Sequence, residues 1–185
     1  MNSVQIRKLT YSAMLLALAV LMPRVAGLIP QIGKTLNLMH IPVLLCGFLC
    51  GWPWGLAVGF VSPLLSSLLN TMPKIYPDAV VMAFELAAYG CAAGLVYRML
   101  PPRKWRIYAA LGIAMVAGRI VYGIVYFCLL KAGLVSVDGA LLAFVWTRTV
   151  VTPVWGIVLQ AALVPVLVMI LEKARLIPDD RRKNG

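Results

Sequence analysis

Apolar residues in this 185-residue chain come in long runs broken by short polar, proline- or glycine-bearing segments. A helix needs roughly 20 mostly apolar residues to cross the hydrocarbon of a bilayer, fewer where it is short or broken. Runs of this kind predict six spans, over about Ile6–Met22, Leu38–Cys50, Trp54–Leu69, Asp78–Met99, Ile107–Leu130 and Gly139–Leu171. Pro23 ends the first, and Arg24–Asn37 reads as a loop too polar for lipid. Gly51-Trp52-Pro53-Trp54-Gly55 reads as a tight turn with interfacial aromatics. The spans on either side of it are short, and together they also fit a re-entrant pair. Asn70–Pro77 is a polar loop, after which Asp78 is a candidate N-cap. Pro101-Pro102-Arg103-Lys104 breaks the chain again, and Lys131–Asp138 is a further loop. Pro153 and Pro165 fall inside the long sixth helix, where bundle helices tolerate kinks. The expected fold is an all-α membrane protein, a bundle of six transmembrane helices forming one domain over residues 1–185.

Composition makes lipid the solvent for much of the surface. Hydrophobic residues are 62% of the chain and charged ones 12%, against about a quarter charged in soluble domains. Basic residues and an apolar run open the chain, but Pro23-Arg24 stands in place of a small-residue cleavage site. The first segment is therefore expected to remain as a helix rather than leave as a signal peptide. Cys46, Cys50, Cys91 and Cys128 all lie in apolar runs, without a C-x-x-C pair or a neighbouring histidine. A disulfide framework or zinc site is disfavoured. Cys46 and Cys50 share a helix face, as a thiol pair or as plain packing.

The formal net charge of +11 first suggests nucleic acid, but its distribution gives another reason. With the N-terminus in the cytoplasm, that side carries Arg7, Lys8, Arg98, Arg103, Lys104, Arg106, Lys173, Arg175, Arg181, Arg182 and Lys183, 11 of the 17 basic residues. The outer loops hold Arg24, Lys34, Lys74 and Lys131. The positive-inside rule thus places both termini in the cytoplasm and removes the need for a nucleic-acid partner.

Charges within the spans carry more information, because a charge at mid-membrane costs at least a few kcal/mol unless paired or hydrated. Glu85 sits about 10 Å along the fourth span and Arg148 roughly 15 Å along the sixth, by the helical rise. Arg119 lies near the middle of the fifth. All three can face one outward-opening cavity whose summed charge is +1. The competing reading is a buried Glu85–Arg pair that only fixes helix register. Such a pair leaves one arginine over, and arginine binds carboxylates bidentately, which favours an anionic solute.

Polar and aromatic side chains accompany these charges at helical spacing. Tyr122 and Tyr126 follow Arg119 at i+3 and i+7, Tyr89 lies one turn from Glu85, and Thr152 and Trp155 follow Arg148 at i+4 and i+7. Tyr and Trp offer an apolar body with one hydrogen-bonding tip, as small-molecule pockets need, although each alone also suits interfacial anchoring. His40, the only histidine, precedes Pro42 and reads as a helix-end or loop-contact residue. Asn37, Asn70, Lys74 and Tyr76 are candidates for the outer mouth. No metal or other cofactor is implied.

An intramembrane enzyme needs a second catalytic group, and Glu85 is the only carboxylate inside a predicted span. The P-loop pattern G-x-x-x-x-G-K-[ST] is missing, so the chain cannot use ATP by that route. No internal or inverted repeat is visible, which weakens a self-contained secondary transporter. Ala13-Met14-Leu15-Leu16-Ala17 gives the first span a small-x-x-x-small face that lets helices approach closely.

With the block His40-Ile-Pro-Val-Leu-Leu-Cys-Gly-Phe-Leu-Cys-Gly-Trp-Pro-Trp-Gly55, the length, the span count and the N-terminal orientation, this face resembles the substrate-binding S components of energy-coupling factor (ECF) transporters. The resemblance covers essentially the whole chain. It implies an outward-facing vitamin pocket built from the outer halves of spans four to six and the loops between spans one and two, three and four, and five and six. Glu85, Tyr89, Arg119, Tyr122, Arg148 and Thr152 fall in those regions, and Arg24–Asn37 matches a lid-like first loop. It also implies that Ala13 and Ala17 dock on a transmembrane coupling (T) subunit driven by two cytoplasmic ATPases, and that the S component topples to release its cargo. The host membrane would be a bacterial or archaeal cytoplasmic membrane, with the ATPase activity in partner subunits. Within the family the sequence is most like the pantothenate type; nicotinate or a pyridoxine-like ligand remain open.

Overall fold

The structure, a computed structural model, describes residues 3–27, 38–71, 73–101, 105–132 and 154–174. Within them the chain is helical: α1 Ser3–Gly27, α2 His40–Cys50, α3 Trp52–Asn70, α4 Val80–Met99, α5 Trp105–Lys131 and α6 Val154–Lys173, with a π-helical turn over Ile75–Ala79 leading into α4. Five of these helices are long and apolar enough to cross a membrane. The exception is α2. Its 11 residues rise only about 16 Å, half the hydrocarbon thickness. Every residue of α2 is buried, so this apolar segment is enclosed by protein.

What encloses α2 is close backbone packing. In lipid, apolar burial gains little over contact with acyl chains, so helices are held by van der Waals fit. A Cβ on Gly90 of α4 would collide with the Gly55 carbonyl of α3, and one on Gly47 of α2 would meet the Gly90 carbonyl. Missing side chains therefore let α2, α3 and α4 touch at the main chain. The connection between α2 and α3 is shorter than the sequence suggests. Gly51 alone makes it, at φ 97°, a conformation that costs other residues roughly 1–2 kcal/mol. Its N–H donates to the Gly47 carbonyl at 3.0 Å, its own carbonyl accepts from Gly55 at 3.0 Å, and Trp52 and Pro53 already belong to α3.

Two further boundaries depart from expectation. Helix α1 runs through Pro23 to Gly27, where the sequence pattern ended it. Proline removes one helical hydrogen bond and crowds the carbonyl four residues back. At that level Asn70 of α3 reaches across and donates to the Val20 carbonyl at 2.6 Å, supplying a donor to the disturbed turn. Asp78 is not the cap of α4. It lies inside the π-helical turn, and the capping position is Ala79, with no side-chain cap bond. Of the predicted sixth helix, residues 139–153, with Pro153, lie outside the described residues; Pro165 is inside α6.

The core joins α2, α4, α5 and α6 through Leu44, Phe48, Leu86, Tyr97, Ala110, Ala114, Val164 and Val168. The two buried cysteines tie α2 to α1: Cys46 Sγ lies 3.5 Å from Ser12 Oγ and Cys50 Sγ 3.5 Å from the Lys8 carbonyl. At one end of the bundle a polar clasp joins three helices. Arg106 of α5 donates to Tyr97 Oη of α4 at 2.8 Å and to Glu172 Oε1 of α6 at 2.5 Å, while the Tyr97 hydroxyl also bonds Glu172. The Arg106 guanidinium lies 4.2 Å from the centre of the Tyr97 ring, a cation–π contact.

Candidate functional site

Away from the clasp, the bundle interior holds a second polar cluster, at the start of α2. Glu85 and Tyr89 lie one turn apart on α4 and so point to the same side. Arg119 comes from the middle of α5 and His40 is the first residue of α2. Arg119 Nη1 lies 2.9 Å from Glu85 Oε1, and His40 Nε2 lies 3.8 Å from the same oxygen. The Tyr89 ring meets the imidazole edge-on, with centroids 5.1 Å apart at 78°. Its other side lies against α5 at Gly118, where a Cβ would come within 2.6 Å of Tyr89 Cε2. Residue 118 must be glycine for this ring to lie between α2 and α5.

His40, Glu85 and Tyr89 are 1%, 2% and 0% exposed, so the cluster sits in protein of low polarity. Its hydrogen-bonding capacity is nevertheless largely unused. Both His40 ring nitrogens, Glu85 Oε1, Tyr89 Oη and Arg119 Nε are buried without a hydrogen-bond partner among the described residues. The Glu85–Arg119 contact is an ion pair in distance but is not aligned as a hydrogen bond. A buried polar group left unsatisfied costs about 1–3 kcal/mol, and most buried groups are paired. The cluster presents donors at Arg119 Nε and Tyr89 Oη, an acceptor at Glu85, and one of each on a neutral imidazole.

The predicted site residues fare differently. Glu85, Tyr89 and Arg119 converge, and His40, at a helix end as expected, joins them. The sequence placed no carboxylate near His40; the fold brings Glu85 to it. Tyr122 and Tyr126 stack on one another at 6.0 Å and 12°, starting one turn beyond Arg119, and Tyr126 is buried. Asn37, Arg148 and Thr152 lie outside the described residues, and of Trp155 only the backbone, in α6, is described. Among the described residues the cluster therefore balances at zero, Arg119 against Glu85. The expected excess of +1 rests on Arg148 alone. Ala13 and Ala17 are both exposed on α1, beside Met14 and Leu18. Of the residues expected at the outer mouth, Asn70 bonds the Val20 carbonyl and Ser66 Oγ, a structural use of that side chain.

The sequence reading missed two features. One is the clasp, whose three residues lie at helix ends where a charged side chain is unremarkable. The other is Gln160, 1% exposed on α6, with its Oε1 unpartnered among the described residues. A signal for it was present: it is the one charged or amide side chain between Val154 and Leu171.

Compared with known families, residues 7–168 match the model of the ECF transporter substrate-specific component. None of the curated proteins compared with the chain matches it, and none of the solved structures does. Members of the matched family are transporter subunits rather than enzymes, and they work with a small-molecule substrate, a T subunit and ATPase subunits. A multi-pass helical chain with buried, underused polar groups fits that description, and the match covers most of its length: the chain belongs to the ECF transporter substrate-specific component family.

Proposed function

We propose that this subunit captures a small, carboxylate-bearing vitamin from outside the cell, with pantothenate the favoured solute, and that the cluster of His40, Glu85, Tyr89 and Arg119 belongs to its pocket. The observation that carries the reading is the set of buried polar atoms left without partners inside an apolar bundle. An ion pair kept only to fix helix register would be expected to have its remaining valences filled. Here Glu85 engages Arg119 through Nη1 and leaves Nε unpaired. A carboxylate approaching that edge of the guanidinium gains charge-assisted hydrogen bonds, and hydroxyl or amide groups suit His40 and Tyr89. Arg148, Thr152 and Trp155 would complete the pocket from α6 and the segment before it. Arg148 supplies the charge that an anion needs, since Arg119 is matched by Glu85. Asn37 would join from the first loop, and Tyr122 and Tyr126 from the wall of α5.

In this reading both termini are cytoplasmic, in a bacterial or archaeal cytoplasmic membrane. The exposed Ala13–Ala17 face of α1 docks on the T subunit, and two cytoplasmic ATPases supply the energy. Calorimetric titration of the purified protein with a vitamin panel tests the solute. Binding of pantothenate, weakened in Arg119→Ala and in Arg148→Ala, is the expected result. Binding of no vitamin, with uptake intact in both variants, would refute the reading.

A further inference from the structure

The clasp fixes the relative height of α4, α5 and α6, because Tyr97, Arg106 and Glu172 touch one another. From that common level, Glu85 lies 12 residues back along α4, Arg119 lies 13 residues on along α5, and Gln160 lies 12 residues back along α6. At 1.5 Å per residue each stands about 18–20 Å from the clasp. The contact between Glu85 and Arg119 confirms the bookkeeping for two of the three helices. The same count along α6, carried across Pro165, puts Gln160 at about that layer. Its direction follows from its neighbours on the helix. Gln160, Val164 and Val168 are spaced by four and all are at most 1% exposed, and both valines belong to the core shared with α2 and α5. Helix α6 packs against those two helices, which carry His40 and Arg119.

From this we infer that Gln160 is a solute-contacting residue whose amide hydrogen-bonds a neutral polar group, a hydroxyl or an amide, on the molecule whose carboxylate goes to arginine. The inference rests on the solute reading given above and narrows it to carboxylates that also carry such a group. The alternative is polar packing between helices, in which a glutamine side chain bonds a neighbouring helix. Gln160 Oε1 has no such bond among the described residues. A buried acceptor without a partner lowers stability, and an apolar replacement of similar shape is then neutral or stabilising. The two roles thus predict opposite stability effects.

The test is to measure pantothenate affinity by calorimetry and thermal unfolding in detergent for wild type, Gln160→Leu and Gln160→Met. The inference expects Gln160→Leu to unfold at the wild-type temperature or above it while affinity falls about tenfold or more, the worth of one buried hydrogen bond. Wild-type affinity in a stable Gln160→Leu overturns it, as does a lower unfolding temperature with affinity retained. Should Gln160→Leu lose both, Gln160→Met decides, since it restores length and volume without the acceptor: recovered stability with affinity still low supports the assignment, and any other result overturns it. Failure of the wild type to bind pantothenate overturns pantothenate as the solute and this inference with it, and it is seen in the wild-type titration before any variant is compared.

Discussion

Arg119 and Glu85 show why a buried charge pair is ambiguous until its remaining valences are counted. Removing one partner of a buried pair strands the other charge, at roughly 3–5 kcal/mol. Arg119→Ala should therefore lower the unfolding temperature as well as solute affinity, and either loss alone would be uninformative. The double variant Glu85→Gln/Arg119→Ala separates the roles. It should regain most of the stability, because no charge is left unpaired, while affinity stays about ten- to a hundredfold below wild type. Calorimetry showing affinity restored together with stability would return the pair to a purely structural role. The two charges were legible in the sequence because a bilayer makes any charge expensive. The place of His40 was not, since nothing in the local pattern around Pro42 reports that the Glu85 carboxylate of α4 lies 3.8 Å from its ring. Gln160 was legible in principle, but an uncharged amide in an apolar run raises less alarm than an arginine.

Helix boundaries were readable where composition sets them and unreadable where a neighbouring helix does. The apolar runs of α3, α4 and α5 match the limits of those helices within a few residues. Pro23 misled because the group that steadies the disturbed turn, Asn70, lies on a helix far along the chain. Asn70→Ala should destabilise the protein by about 1 kcal/mol, with the loss concentrated at the end of α1. Hydrogen exchange of the amides near Pro23 would show it, and unchanged protection there would disprove that account of α1. Gly90 carries a larger consequence. Its Cβ position is taken by the Gly55 carbonyl, so Gly90→Ala must push α3 from α4 at a cost of about 1–3 kcal/mol. Thermal unfolding measures this directly, and a wild-type transition would mean the seam is looser than described. On α1, Ala13→Leu or Ala17→Leu should weaken co-purification with the T subunit and leave pantothenate affinity of the isolated subunit unchanged, because both residues face outward. Equal loss of both properties would contradict separate docking and binding faces.

Across the whole molecule, the clasp and the polar cluster divide the bundle by depth. The clasp binds α4, α5 and α6 tightly at one end, and about 18–20 Å away the same helices present side chains whose bonding capacity is not used up. A bundle clasped at one end and chemically receptive deeper in suits a subunit that takes its solute from one side. In the proposed orientation, drawn from the positive-inside rule, that side is the exterior, which a cysteine-labelling map of both termini checks. Labelling of either terminus from outside would contradict that orientation. The most direct measurement of the central claim is mass spectrometry of small molecules retained when wild type and Glu85→Gln/Arg119→Ala are purified side by side. The account predicts that a small carboxylate bearing a hydroxyl or amide donor accompanies the wild type and is lost from the variant. Retention of the same molecule by both, or of a cationic solute by the wild type, would contradict it.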